Sequence, residues 1–289
     1  MRGPALALFV AAFVAGGCAS APRPAGSPAP PLAVIDAHVH TRFDGQPDAS
    51  TALYTREGLA AELRANHVVG AVAMDHAGQP FEDLVDLGVV HCLGIGESID
   101  PGALDVALAT GNYRCIKIYL GYVQRFAYDQ AYEPVYQLAR RHRVPVVFHT
   151  GDTDSAGAKL KYADPLTIDE VAVDHPDVTF VLAHAGNPWI ESAAEVAYKN
   201  LNVVIDGSAF VIGDLDRLPP ETIEEYAVRP IRWIFGYVGD PRKLMFGTDW
   251  PLVRIAPYLR AFQRAVPREH WRAVFHDNAA RVYGFDARP

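Results

Sequence analysis

The sequence predicts an α/β protein, a (β/α)8 TIM barrel, and three observations carry that prediction. Eight short runs rich in Val, Ile and Leu recur along the chain, and longer segments with helical spacing separate them. No Gly-rich phosphate turn follows any run, which disfavours an open doubly wound sheet. The runs are Ala33 to His40, Val68 to Asp75, Val89 to Gly96, Cys115 to Leu120, Val144 to His149, Val178 to His184, Asn202 to Asp206 and Lys243 to Asp249. Their continuous apolarity suits parallel strands buried on both faces.

Between them the spacing predicts helices over Glu57 to Ala65, Ala103 to Leu108, Tyr132 to His142, Pro165 to Asp174, Ile190 to Lys199 and Tyr226 to Val238. Asp100-Pro101 and Asp164-Pro165 are helix starts, because Asp caps free amides and Pro suits the first helical position. Val274 to Phe285 reads as a last helix packed outside the barrel.

With 289 residues, 50% of them hydrophobic and 21% charged, the chain can bury a core of barrel size. A net charge of −8, with no basic cluster, argues against nucleic acid as a partner. The cysteines, at 18, 92 and 115, do not sit at thiolate-zinc spacing. A metal must therefore be held by His and carboxylates. Cys92 and Cys115 lie in apolar runs and are expected to be buried, unreactive thiols.

Residues 1–18 read as a secretory signal segment, with Arg2 before an apolar stretch from Ala5 to Val14. Ala15-Gly16-Gly17-Cys18 favours a bacterial lipoprotein with lipid on Cys18, and cleavage at Ala19-Ser20-Ala21 is the competing reading. Residues 19–31 hold five prolines and read as a semi-rigid tether. Residues 32–289 are then a single barrel domain, exported and either periplasmic or anchored to the membrane through that lipid. A small-molecule substrate is the expected partner, with homo-oligomerisation left open.

Barrel active sites lie at the C-terminal ends of the strands, so the residues that finish each run are informative. His38 and His40 finish the first, His149 the fifth, His184 the sixth and Asp249 the eighth, while Lys117 lies on the fourth. His38 and His40 are two apart on one strand and face one way. Without a shared cation, convergent imidazoles and carboxylates would be buried at a cost of a few kcal/mol each, so a divalent metal is the economical reading. Asp36, just below, is expected to orient a histidine.

These residues carry a resemblance. Ile35-Asp36-Ala37-His38-Val39-His40, Lys117, His149-Thr150-Gly151, His184-Ala185-Gly186, Gly247-Thr248-Asp249-Trp250-Pro251 and Asp277-Asn278-Ala279-Ala280 together resemble the amidohydrolase superfamily, in its amidohydrolase-2 branch. The resemblance implies that His38 and His40 bind a first metal, with Asp249 as a further ligand and proton shuttle. It implies that His149 binds that metal or a second, and that His184 completes a second site or holds the attacking water. Zinc is the favoured ion, with manganese, iron and nickel as alternatives and one or two ions per chain. Lys117, on the inner face of its strand, is buried at a cost, which lowers its amine pKa and opens it to carbamylation. Two other readings stay open for it: an ammonium that binds substrate, and a structural ion pair.

Tyr119, Tyr122, His76, Asn187 and Trp189 are candidate substrate contacts near the same rim, and residues 150–167 form a candidate lid. The leading reading is a metal-dependent hydrolase that activates water against an amide, lactone or ester carbonyl. The alternative is a metal-dependent non-oxidative decarboxylase of a small carboxylate, and a lesser one is a surface-anchored binding protein without turnover.

Overall fold

The Val, Ile and Leu runs form strands buried on both faces. The computed structural model describes residues 32–46 and 49–285. The expected signal segment and tether lie outside them, as does Cys18. The strands β1 (Val34–Val39), β2 (Val68–Met74), β3 (Val89–Ile95), β4 (Tyr113–Ile118), β5 (Val146–His149), β6 (Phe180–Ala183), β7 (Val203–Asp206) and β8 (Leu244–Met245) pair in parallel in that order. The eighth strand is much shorter than the run Lys243 to Asp249 suggests. Its continuation closes the ring on β1 through main-chain bonds from Ala37 N to Phe246 O (2.9 Å), Asp249 N to His38 O (2.8 Å) and His40 N to Trp250 O (2.8 Å).

The helices are α1 (Arg56–Ala65), α2 (Pro101–Ala109), the one-turn α3 (Leu120–Val123), α4 (Glu133–His142), α5 (Thr167–Asp174), α6 (Ile190–Lys199), the one-turn α7 (Pro220–Ile223), α8 (Arg229–Val238), α9 (Ile255–Ala265) and α10 (Asn278–Tyr283). Local chemistry explains their starts. Thr55 accepts from Gly58 N ahead of α1, and Asp100 accepts from Gly102 N and Ala103 N ahead of α2, with Pro101 in the first turn. Among the described residues no helix is long and apolar enough to cross a membrane.

Two apolar layers result. Outward strand residues such as Val39, Ile116, Phe148, Phe180 and Ile205 pack under the helices. Inward residues, including Val72, Met74, Val90, Val147, Val181, Val204 and Met245, fill the barrel.

The structure corrects three expectations. Helix α9, absent from the sequence reading, buries Ile255, Tyr258, Ala261, Phe262 and Ala265, an ordinary helical spacing. Helix α10 does not pack outside the barrel: Ala279, Ala280 and Tyr283 join the interior cluster and close its lower end. Cys92 and Cys115 are not free thiols. They face each other in register on β3 and β4, their Cα atoms 4.3 Å apart, and form a disulfide inside the barrel.

Candidate metal centre

Strand alternation carries the barrel interior from apolar to ionisable in one step of two residues. Cys115 gives way to Lys117 on β4, Val147 to His149 on β5 and Val204 to Asp206 on β7. Two further side chains reach the interior through irregular backbone. The β1–β2 register shifts between Asp36 and Val39, so that His38 turns inward beside Ala37. At the end of β6, His184 (φ 61°) and Ala185 (φ 48°) are left-handed, and this swings His184 inward although Ala183 before it already faces in. Asp249 is left-handed as well (φ 70°). Each such residue costs about 1–3 kcal/mol, a cost that a fold concentrates at functional sites.

His38, His40 and Asp249 converge so that one ligand atom from each lies within 4.8 Å of the others. Asp249 Oδ1 is 3.3 Å from His38 Nε2 and 3.0 Å from His40 Nε2. Yet Asp249 Oδ1 and His38 Nε2, both buried, have no hydrogen-bond partner. Buried polar atoms without partners are costly, and a divalent cation shared by the three groups would satisfy them.

Hydrogen bonds set the tautomers. His38 Nδ1 donates to Asp206 Oδ2 at 2.5 Å, which leaves its Nε2 lone pair directed at the cluster. His149 Nε2 must carry a hydrogen, since it meets the carbonyl oxygen of Asp152 at 2.7 Å. His149 Nδ1 then accepts from His184 Nε2 at 3.2 Å, and His184 Nδ1 accepts from Ser208 Oγ at 3.0 Å. That same Nδ1 lies 3.9 Å from Asp249 Oδ2.

Burial, together with neighbouring charge, pushes His38, His149 and His184 well below the usual imidazole value and keeps them neutral. Burial also acts to raise Asp249, but His38, His184 and His40 outweigh it and hold the carboxyl well below its usual range. Neutral imidazoles around a carboxylate are the protonation states that a cation needs. Lys117 is fully buried and its Nζ has no hydrogen-bond partner. Burial lowers its pKa to about 8, against the pull of Asp206 and Asp249.

Of the six candidate metal ligands, the structure brings His38, His40 and Asp249 onto one point. His184 stands beside them, His149 bonds to His184 and to the loop after β5, and Lys117 lies in the barrel interior near Asp206 and Asp249. Among the candidate substrate contacts, His76 stacks between His40 (ring centroids 5.5 Å apart) and Tyr119 (5.0 Å). The Tyr119 hydroxyl donates to Met74 O at 3.1 Å, and the Tyr122 hydroxyl accepts from Asp154 N at 3.1 Å, tying down the candidate lid. Asn187 and Trp189 act through their main chains: Asn187 O accepts from Asp152 N at 2.8 Å, and Trp189 N donates to Gly186 O at 2.7 Å.

Asp36 does not orient an imidazole. Its carboxylate accepts from His38 N, Thr248 N and Thr248 Oγ1, and so joins β1 to the segment that carries Asp249. The imidazole partner is Asp206, which the sequence reading left without a role, as it did Ser208. Gly247 also belongs to the site, because a Cβ there would stand 2.5 Å from Asp206 Oδ1 and 3.2 Å from His38 Cβ. Gly247→Ala is expected to displace Asp206 from His38 and to cost about 1–3 kcal/mol. Thermal unfolding and metal titration of that variant would check both effects, and an unchanged protein would remove the steric argument.

Comparisons with known proteins agree with this architecture. The family model described as Amidohydrolase matches residues 13–285. No curated protein matches the chain. Among solved structures, one similar chain is a probable 2-pyrone-4,6-dicarboxylic acid hydrolase from Acinetobacter baumannii, 16% identical, with a TM-score of 0.64 over 88% of this chain and 100% of that one. Another is an amidohydrolase from Burkholderia multivorans with bound HEPES, 19% identical, with a TM-score of 0.65 over 87% and 99%; a second crystal form of it holds zinc. A third is a 5-carboxyvanillate decarboxylase from Novosphingobium aromaticivorans with manganese, 13% identical, with a TM-score of 0.56 over 88% and 96%.

Proposed function

The chain belongs to the amidohydrolase family, and on that footing we propose that it is a metal-dependent hydrolase acting on an amide, lactone or ester carbonyl of a small molecule. The observation that carries this reading is the convergence of His38, His40 and Asp249 with buried ligand atoms left unpartnered. A divalent cation held there, zinc in the first instance, supplies Lewis acidity toward a carbonyl oxygen and toward water. Asp249, ionised across the neutral range, takes the proton of the attacking water and returns it to the leaving group. His184, neutral and with its Nδ1 3.9 Å from Asp249 Oδ2, stands beside that carboxylate and orients the water when the water takes the place of the Ser208 hydroxyl at Nδ1. His40, His76 and Tyr119 form a stacked wall against which a planar substrate can lie.

Lys117 deepens the hydrolase reading. An amine with its pKa lowered to about 8 is neutral above that pH and can add to carbon dioxide, releasing a proton and giving an anionic carbamate. The carbamate oxygens would add anionic ligands to a site otherwise built of imidazoles and one carboxylate. Metal loading is therefore expected to respond to bicarbonate and to rise as the pH passes upward through about 8, because the ammonium form below that value cannot react. Lys117→Ala should lower the bound metal. Full loading in that variant, independent of bicarbonate and pH and accompanied by a raised substrate KM, would instead leave Lys117 as a cation that binds substrate.

The same three ligands suit a non-oxidative decarboxylase, and the similarity to a manganese-containing decarboxylase favours that second reading. Product analysis separates the two. Release of carbon dioxide from an aromatic carboxylate, with no turnover of lactones, esters or amides, would replace the hydrolase reading. We further propose export, with Cys18 lipidated; the Cys92–Cys115 disulfide supports an oxidising compartment.

A further inference from the structure

At the end of the barrel opposite the metal centre, a cleft of about 200 Å3 opens where β4 and β5 begin. Arg114, Arg143 and Arg281 line it, with Tyr113, Val144 and Val282 among its walls. In a chain of net charge −8, most arginines of the described residues reach a carboxylate, as Arg56 does Asp86, Arg140 Asp177 and Arg260 Asp216; outside the cleft Arg42, Arg64 and Arg268 are the exceptions. The arginines of the cleft do not. The guanidinium groups of Arg114 and Arg143 have no hydrogen-bond or ion-pair partner among the described residues, and Arg281 Nη2 reaches only the main-chain oxygen of Arg242.

The nearby carboxylates are already used. Asp105 is taken by His142 Nε2 and Arg141 Nη1, both at 2.6 Å, and Asp240 is held by Arg242 through Nε and Nη2. Arg281 is partly desolvated and repelled by Arg242, which together outweigh the pull of Asp240, whose oxygens bond to Arg242.

We propose that this cleft binds a phosphate monoester or a phospholipid headgroup, with the phosphate held by Arg114, Arg143 and Arg281. Planar guanidinium forks match phosphate oxygens, and a monoester carries about −1.5 to −2 charges at neutral pH. The apolar and aromatic walls suit the organic part of such a ligand better than a bare ion.

The test uses the full chain, titrated by calorimetry with glycerol 3-phosphate and, separately, with vesicles of phosphatidylglycerol or of phosphatidylcholine, all at fixed ionic strength. Saturable binding is expected, weakened about 10-fold or more by Arg114→Gln combined with Arg143→Gln, and unaffected by Asp249→Asn. Arg281→Gln, tested alone, should weaken it in the same direction. Binding of the free ester assigns a soluble ligand; binding confined to phosphatidylglycerol vesicles assigns a headgroup. Absence of saturable binding, or equal binding in the double variant, would overturn the proposal.

Discussion

Asp249→Asn is expected to lower kcat by roughly 10²–10⁴-fold while leaving a cooperatively folded barrel. The substitution is isosteric, so the packing around the side chain survives. What it removes is the proton acceptor and the one carboxylate that faces His38 Nε2 and His40 Nε2 together. Bound metal should fall in parallel, because an amide oxygen is a much weaker ligand for a divalent cation than a carboxylate. Steady-state kinetics with elemental analysis of the same preparation would measure both, and near-native turnover would remove Asp249 from the chemistry.

Asp206→Ala is expected to raise the metal dissociation constant about 10–100-fold, although Asp206 is not itself a proposed ligand. Its role is to receive the Nδ1 hydrogen of His38 and so fix which nitrogen faces the cluster. Removing it strands a buried donor, at a further cost of about 1–3 kcal/mol in stability. Asp206→Asn, which can still present an oxygen to His38, should recover part of both losses. Competition titration against a chelator reads the affinity, and equal affinity in the alanine variant would show that His38 needs no such partner.

Much of this was legible in the residues alone. Apolar runs placed all eight strands, because a parallel strand buried on both faces leaves a continuous signature. Asking which residue ends each run found His38, His40, His149, His184 and Asp249. The same question would have found Asp206, which ends its own run, had carboxylates been weighed there as histidines were. Helix α9 carried ordinary helical spacing and was readable.

Other features were not. The inward turn of His184 depends on left-handed backbone at 184 and 185, which no side-chain pattern announces. The Cys92–Cys115 pairing needs the β3–β4 register, a long-range quantity. Whether α10 lies outside the barrel or closes its end is likewise undecided by its own sequence, since one apolar face serves either place.

Bound metal per chain, measured by elemental analysis of protein purified without chelator and with bicarbonate, bears most directly on the metal centre. About one or two equivalents are expected, lost when His38, His40 or Asp249 is replaced. No bound metal after supplementation, with turnover intact, would contradict a cation at His38, His40 and Asp249.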